Sequence, residues 1–425
     1  MERNGQTVDQ VAPGDGRAGF RWWEKPAPAL LGMLICAVAE ARFEVETFGR
    51  EHLRHAPGAL VIANHRYDTD GPLLGSLLMQ RRRLRLRFEG VAPFFVARED
   101  LFRPGFLGAY LPHWPRVLRA PLYRLSIGPV LRGLGLRPIR RIPEHSTGEL
   151  LPDVLAVLGD RPLAEVLRPQ SAEAIARELG RPEASLSVRD ALRAPRELLA
   201  GRRAFRRSTL AALRALQPHE RDIIERQLQV FVELLEAGET VVLEPEGTVS
   251  RDGRFGRPRR ALHHLLNTPA RIAPVLPVAL SYDSMRPGRP RVLIRVGEPR
   301  MDLRGRSRRE TDAMAGRAIL QQWAVNASHL AARHFGERGL DLSGSAPRAL
   351  ERYLGETATR CEAEGIPVDP LLLDPARREE RVQQCVAFWR RRADRGGAEE
   401  LLRYFRNELD SIASVHPGLY RDGCR

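Results

Sequence analysis

Lysine is all but missing from this chain: Lys25 is the single one among 68 basic residues, so its positive charge is carried by arginine. Cysteine is scarce as well. Cys36, Cys361, Cys385 and Cys424 stand far apart with no CxxC or zinc-knuckle spacing. That excludes a disulfide-stapled fold and a structural zinc site, and it implies a reducing compartment. No apolar run reaches the roughly 18 to 20 residues needed to span a bilayer. The nearest approach is Pro26 to Ala39, which ends at Glu40. The first twenty residues are polar and glycine-rich where a secretory signal would be apolar, and they read as a frayed tail. There is no internal repeat, RNP-type strand, zinc finger or helix-turn-helix spacing. With 425 residues, 43% hydrophobic and 28% charged, the composition also excludes wholesale disorder and a collagen-like fibre. It is enough chain for one large domain or two ordinary ones.

What is present in excess is positive charge, +15 overall at neutral pH with a sequence pI near 10.7. The base composition of a gene can by itself turn lysine into arginine, so the location of the charge says more than its amount. Between Arg81 and Arg141 fourteen arginines face three acids, Glu89, Glu99 and Asp100. A field of that kind attracts a polyanion, whether nucleic acid, anionic lipid headgroups or a phosphorylated cofactor. From Arg103 to Arg137 the arginines are interleaved with Phe106, Tyr110, Trp114, Leu118 and Leu125. Such a mixture suits an anionic membrane surface; internal packing and nucleic-acid binding are the other readings. Pro26 to Ala39, preceded by Arg21, Trp22, Trp23 and Lys25, fits a helix lying in a membrane interface or one buried in a core.

Alternating apolar and acidic residues from Phe43 to Phe48, closed by Gly49, predict a strand and turn. Short buried strands follow at Ala59–Ala63 and Phe94–Ala97, and Arg137–Arg141 ends the basic segment on a strand edge. From Glu149 to about Leu235 the pattern turns helical, with helices expected at 150–158, 172–179, 188–199 and 220–235. Strands return at Thr240–Leu243, Ile272–Leu280 and Val292–Val296. After Met301 the chain reads as helices at 309–334, 346–363, 376–392 and 397–413. The expected class is α/β: a core sheet flanked by helices, with a helical insertion and an all-helical C-terminal region. The expected divisions are a tail and interface helix at 1–43, a catalytic domain at 44–300 holding an insertion at about 149–235, and a helical region at 301–425.

Two short motifs carry chemistry. His65 leaves the end of a strand and Asp70 follows five residues later. If the loop turns into a helix, the carboxylate meets the imidazole, fixes its tautomer and leaves the other nitrogen to take a proton from a hydroxyl. No serine nucleophile accompanies the pair, which suits direct attack by a substrate alcohol on an acyl donor. A histidine so spaced from an aspartate arises by chance roughly 0.5 times in a chain of this composition, so spacing alone decides nothing. Glu244-Pro245-Glu246-Gly247-Thr248 leaves a second strand. There glycine allows close backbone approach and a glutamate can hold substrate hydroxyls; a solvated turn is the plain alternative.

Taken in order, the blocks resemble a known family. Asn64-His65-Arg66-Tyr67-Asp68-Thr69-Asp70 is similar to the NHx4D signature of the glycerolipid acyltransferases, within them the lysophosphatidic acid (1-acyl-sn-glycerol-3-phosphate) acyltransferase, PlsC-like, family. Pro245-Glu246-Gly247-Thr248 resembles its PEGT block. Gly135 through Ile139 to Arg141 resembles the second block, and Ala273–Val278 the fourth. Two departures stand out. Val249 occupies a position where that family often carries arginine, with Arg251 two residues on as the expected substitute. His65 and Glu246 lie 181 residues apart, far more than in compact members.

The resemblance implies a glycerol-3-phosphate acyltransferase-like core and transfer of a fatty acyl group from acyl-CoA or acyl carrier protein to a lysophospholipid or glycerol phosphate, in phospholipid synthesis. It makes His65 the general base and Asp70 its orienting partner. It assigns Arg141, Glu246, Gly247, Thr248 and Arg251 to substrate binding, with no metal and no cofactor beyond the thioester co-substrate. It places the chain, peripheral or monotopic, on the cytoplasmic face of the membrane, with a lysolipid acceptor and an anionic surface as partners and no nucleic acid. A catalytically inactive lipid-binding scaffold and a basic nucleic-acid-binding protein are the rival readings.

Overall fold

The computed structural model describes residues 26–79, 91–111, 114–140, 147–199, 210–339, 346–393 and 397–420. Seven short runs, mostly of aliphatic and β-branched residues, form one sheet: β1 Glu44–Phe48, β2 Leu60–Ala63, β3 Phe94–Arg98, β4 Leu136–Ile139, β5 Val241–Leu243, β6 Val275–Asp283 and β7 Arg291–Val296. Their spatial order is β1-β7-β6-β2-β5-β3-β4. β6, β2, β5, β3 and β4 run parallel, β7 is antiparallel to β6, and β1 is parallel to β7. β2, β5 and β6 are buried along their whole length, as parallel strands covered on both faces must be. Their carboxyl ends share one edge of the sheet, the edge at which open α/β sheets place ligands.

Alternation along β2 divides the core. Val61 and Ala63 face the cluster built on helix Asp70–Met79, together with Leu53, Leu276 and Ile294. Leu60 and Ile62 face the opposite cluster, which continues without a break into the C-terminal helices through Trp323, Leu330, Trp389, Phe405 and Ile412. Those helices are Arg308–Leu320, Ala327–Arg338, Ala346–Ala363, Pro375–Ala393 and Ala398–Ala413. The C-terminal region thus forms one layer on the sheet and shares its core.

The insertion packs differently. Leu151, Val154, Leu163, Val166, Ile175 and Val188 make a small cluster of their own. Helix Leu210–Glu236 ties it to the sheet, with Leu216 in the small cluster and Phe231 and Leu235 in the large one. A second tie is electrostatic. Arg140, just past β4, reaches Glu99 at 2.7 Å and Asp153 of helix Thr147–Leu158 at 2.8 Å.

Two expected helices are broken. The stretch read as 309–334 divides into Arg308–Leu320 and Ala327–Arg338, because Asn326 caps a new helix by accepting the backbone N–H of His329. The helix expected through 188–199 becomes Val188–Ala191 and Arg196–Leu199, separated at Pro195. The apolar N-terminal segment is a helix, Pro26–Arg42, that packs against Asp70–Met79 on one side while Leu30, Leu34 and Val38 face outward. Among the described residues no helix is long and apolar enough to cross a membrane.

A shared core makes a sharp expectation. Phe405 is fully buried, so Phe405→Ala should lower unfolding free energy by about 3–5 kcal/mol, measured by urea titration. Sheet and C-terminal helices should unfold in one transition; a separate C-terminal transition would contradict the shared core.

Candidate active site

Strand pairing brings the two sequence motifs together. Ile62 is opposite both Leu243 and Pro277, so β2 and β5 end side by side. Asn64-His65 and Glu244-Pro245-Glu246 then leave the sheet as adjacent loops. β6 continues beyond the end of β2, and the Asn64 side chain fills the place of the missing strand. Its Nδ2 donates to the Leu280 carbonyl at 2.8 Å and its Oδ1 accepts from the Leu280 N–H at 2.8 Å. Only an amide offers a donor and an acceptor in that arrangement.

The loop from His65 turns directly into helix Asp70–Met79. Asp70 is its first residue, where a carboxylate is favoured by the helix dipole. Its Oδ2 accepts the N–H groups of Arg66 at 2.5 Å and Tyr67 at 2.9 Å and faces His65 Nδ1 at 3.2 Å. Its Oδ1 accepts the hydroxyl of Tyr282, from β6. Burial, reinforced by the Asp70 charge, pushes the Tyr282 phenol well above its ordinary value, so it stays a donor. Nδ1–H of His65 therefore points at Asp70, and Nε2 is left for chemistry; no described residue hydrogen-bonds it.

A second carboxylate reaches the same ring nitrogen. Glu244 Oε1 lies 3.2 Å from His65 Nδ1. Burial alone would lower the basicity of His65. The Glu244 charge and the hydrogen bonds to Asp70 and Glu244 outweigh it and push the imidazole up to about 10. His65, Asp70 and Glu244 have the ligand types to bridge a cation. Asp70, however, already accepts from two backbone N–H groups and a phenol, which makes it a poor metal ligand.

Glu246 is buried, and both its oxygens are engaged: Oε1 by the N–H of His65 at 3.1 Å, Oε2 by that of Gly256 at 2.6 Å. Burial raises its pKa against the pull of Arg66 and of those two N–H groups. The structure thus places Glu246 as a brace between two loops. Gly247 makes the turn that this requires, at φ +70°, and Thr248 is half-buried beside it. Arg251 is exposed on the following turn, one residue past Ser250, whose backbone N–H donates to the His65 carbonyl at 3.2 Å. Arg141, the remaining expected binding residue, lies outside the described residues; its neighbour Arg140 serves the insertion.

Several residues at the site were not singled out from sequence. Glu244 stands one residue past β5 and Tyr282 lies between Ser281 and Asp283 at the polar end of β6; both positions carried a readable signal. Arg66 and Glu408 carried none. Arg66 is buried with its guanidinium over the Trp323 ring at 4.2 Å, its Nε 3.5 Å from Glu408 Oε1 and its NH1 donating to the Arg254 carbonyl at 3.3 Å. Glu408 in turn faces His329 Nε2 at 3.0 Å. His329 Nδ1 accepts the Asn326 N–H, which puts the imidazole proton on Nε2, donating to Glu408. Helix Ala398–Ala413 also grips the loop bearing Arg251: Asn407 donates to the Asp252 carbonyl at 2.8 Å and Ser411 accepts the Phe255 N–H at 3.0 Å. Gly253 is obligatory there, at φ +85°, because a Cβ would stand 2.0 Å from the Tyr404 carbonyl oxygen.

No known family model matches the sequence, and no curated protein does. Among solved structures, the crystal structure of the 1-acyl-sn-glycerophosphate (LPA) acyltransferase, PlsC, from Thermotoga maritima is similar at 15% identity and a TM-score of 0.33, covering 76% of this chain and 88% of that one. At that distance the likeness carries no residue across.

The Asn64 bridge gives a direct test. Asn64→Asp replaces a donor by an oxygen facing the Leu280 carbonyl, and should cost at least about 2 kcal/mol of stability, read by thermal or urea unfolding. A variant as stable as wild type would remove the bridge from the account.

Proposed function

We propose that this chain is an acyltransferase, and more narrowly one that moves a fatty acyl group from acyl-CoA or acyl carrier protein to a hydroxyl of a lysophospholipid or glycerol phosphate at a membrane surface. The observation that carries the reading is the contact between His65 Nδ1 and Asp70 Oδ2 at a parallel-strand end, which leaves Nε2 without a hydrogen bond to any described residue. In the neutral form, Nε2 takes the proton of the acceptor hydroxyl as its oxygen attacks the thioester carbonyl carbon. Asp70 holds the ring and stabilises the imidazolium that forms. The tetrahedral oxyanion collapses, the C–S bond breaks, and the thiolate recovers the proton from His65. No serine or cysteine intermediate enters this scheme. Arg251, exposed on its anchored turn, and Arg141 are proposed to meet the acceptor's phosphate, for which an arginine fork is suited.

The surface around the loop supports a lipid setting. Leu30, Leu34 and Val38 form an outward stripe on one face of helix Pro26–Arg42. Tyr110, Trp114, Val117, Leu118 and Leu125 are exposed on the short helices that follow β3 and the turns between them, with Val117 84% accessible. The first helix packs against Asp70–Met79 and its Gly32 against Leu134, and the Tyr110 hydroxyl donates to Asp68 of the His65 loop at 3.2 Å. We read these as a peripheral or monotopic contact with an anionic leaflet, on the cytoplasmic side. The segment's arginines are partly used inside the fold, with Arg98 on Asp100 and Arg103 and Arg140 on Glu99. That internal pairing weighs against a continuous nucleic-acid-binding face.

The test is acyl transfer by purified protein, with labelled acyl-CoA and acyl carrier protein as donors and lysophospholipids, glycerol 3-phosphate and neutral alcohols as acceptors. Product should form on at least one acceptor, and His65→Ala should lower turnover by about 10² to 10⁴ while still binding anionic liposomes. Retained turnover in folded His65→Ala, or no product from either donor, would overturn the reading.

A further inference from the structure

One feature of the site is not required by a histidine–aspartate base: the second carboxylate on His65. Nδ1 carries a single hydrogen, yet it faces Asp70 Oδ2 and Glu244 Oε1 at 3.2 Å each. The two partners are held differently. Asp70 is completely buried and fixed by two backbone N–H groups and Tyr282. Glu244 is partly exposed and comes from the adjacent strand, whose exit also touches His65 through its main chain, where Glu246 accepts the His65 N–H. The exit of β5 thus holds His65 by backbone and by ring.

We propose that Glu244 is a positioning residue that sets the proton affinity of His65, so that the imidazole of the free protein is largely protonated at neutral pH and the base form is populated only in alkaline solution. As a statement about catalysis this rests on the acyltransferase reading; as a statement about His65 it does not. Helix Asp70–Met79 contributes Asp70, and β6 contributes Tyr282 acting on that carboxylate. The β5 exit contributes Glu244 and Glu246. The adjoining Arg66 is turned toward Trp323 and Glu408, and Arg259 donates to the Glu246 carbonyl at 3.2 Å. Carboxylates therefore outweigh cations around the ring, and two of them point at the same N–H. The direction agrees with the raised value of about 10 for this imidazole.

The consequence is a trade. A neighbouring negative charge stabilises the imidazolium formed as the acceptor's proton is taken, which favours the step once the ring is neutral. The same charge keeps the ring protonated at rest, which lowers the fraction able to act at pH 7. Removing the charge moves both quantities in opposite senses, and a merely structural defect does not do that.

The experiment follows His65 itself. Protein labelled with ¹⁵N-histidine is titrated by NMR, with His65→Gln used to identify the resonances. In wild type the ring should remain an imidazolium through pH 8 and titrate near 10. In Glu244→Gln the midpoint should fall by at least about one unit, and Glu244→Asp, which keeps the charge, should stay nearer to wild type. In the transfer assay the acid limb of kcat/KM should move down by the same amount in Glu244→Gln, with a lower plateau at high pH, so the two profiles cross. A wild-type midpoint near 6.5, or coincident titrations of wild type and Glu244→Gln, would overturn the proposal; the first needs no variant. A shifted midpoint in a protein without transfer activity would sustain the role of Glu244 and defeat the acyltransferase reading. Transfer activity with an unshifted midpoint would do the reverse.

Discussion

β2 stops at Ala63 while β6, beside it, runs on to Asp283, and the Asn64 amide closes the step by pairing with both backbone groups of Leu280. The chain can then leave the sheet at once without abandoning the ladder. That exit sets the position of His65. The same extension of β6 delivers Tyr282 to Asp70, and the pairing of β2 with β5 delivers Glu244 and Glu246. Asp70 and Glu244 meet the imidazole, Tyr282 braces Asp70 and Glu246 holds the His65 N–H, because β2 lies between β5 and the longer β6. The buried polar groups are satisfied mainly by backbone N–H groups and each other, which is what makes such a cluster rigid.

The C-terminal helices act on this arrangement through two contacts. Buried Arg66, the residue after His65, is held between Trp323, Glu408 and Glu246. Below it, Asn407 and Ser411 fasten the 249–256 loop. A charge buried as deeply as Arg66 is costly unless paired, and its partners come from both the sheet and the last helix. The two layers are therefore coupled through the loop that bears His65 as well as through the shared apolar core. The insertion, by contrast, keeps its own core and meets the sheet through Arg140 and one long helix.

Most of the strands were legible because burial on both faces leaves an unmistakable signal, short β-branched runs between turns. His65 and Asp70 were legible as a pair through the ordered blocks around them, their spacing alone being of chance frequency. Glu246 was legible by position, but its environment was not: from sequence it reads as a group open to a ligand, and in the structure backbone N–H groups occupy both its oxygens. Glu244 could be seen beside it and not weighed, because its meeting with His65 depends on how β2 and β5 pair, 179 positions apart in the chain. Glu408 had no local signal at all; only tertiary packing of an amphipathic helix brings it to Arg66. The break between the helices ending at Leu320 and beginning at Ala327 was hidden for a different reason. Gln321 to Asn326 contains neither glycine nor proline, and the cap at Asn326 is a side-chain hydrogen bond rather than a change of composition.

The central claim is that Nε2 of His65 works at the thioester carbonyl. A crystal structure of the protein with a non-hydrolysable acyl-phosphopantetheine thioether, the part common to both candidate donors, tests it most directly. The account predicts the thioether group at the shared carboxyl end of β2 and β5, leaving a gap for the acceptor oxygen, which must come within about 3.5 Å of the carbonyl carbon and within hydrogen-bond reach of Nε2. An analogue bound with its reacting end elsewhere, and His65 still enclosed between Asp70 and Glu244, would contradict it.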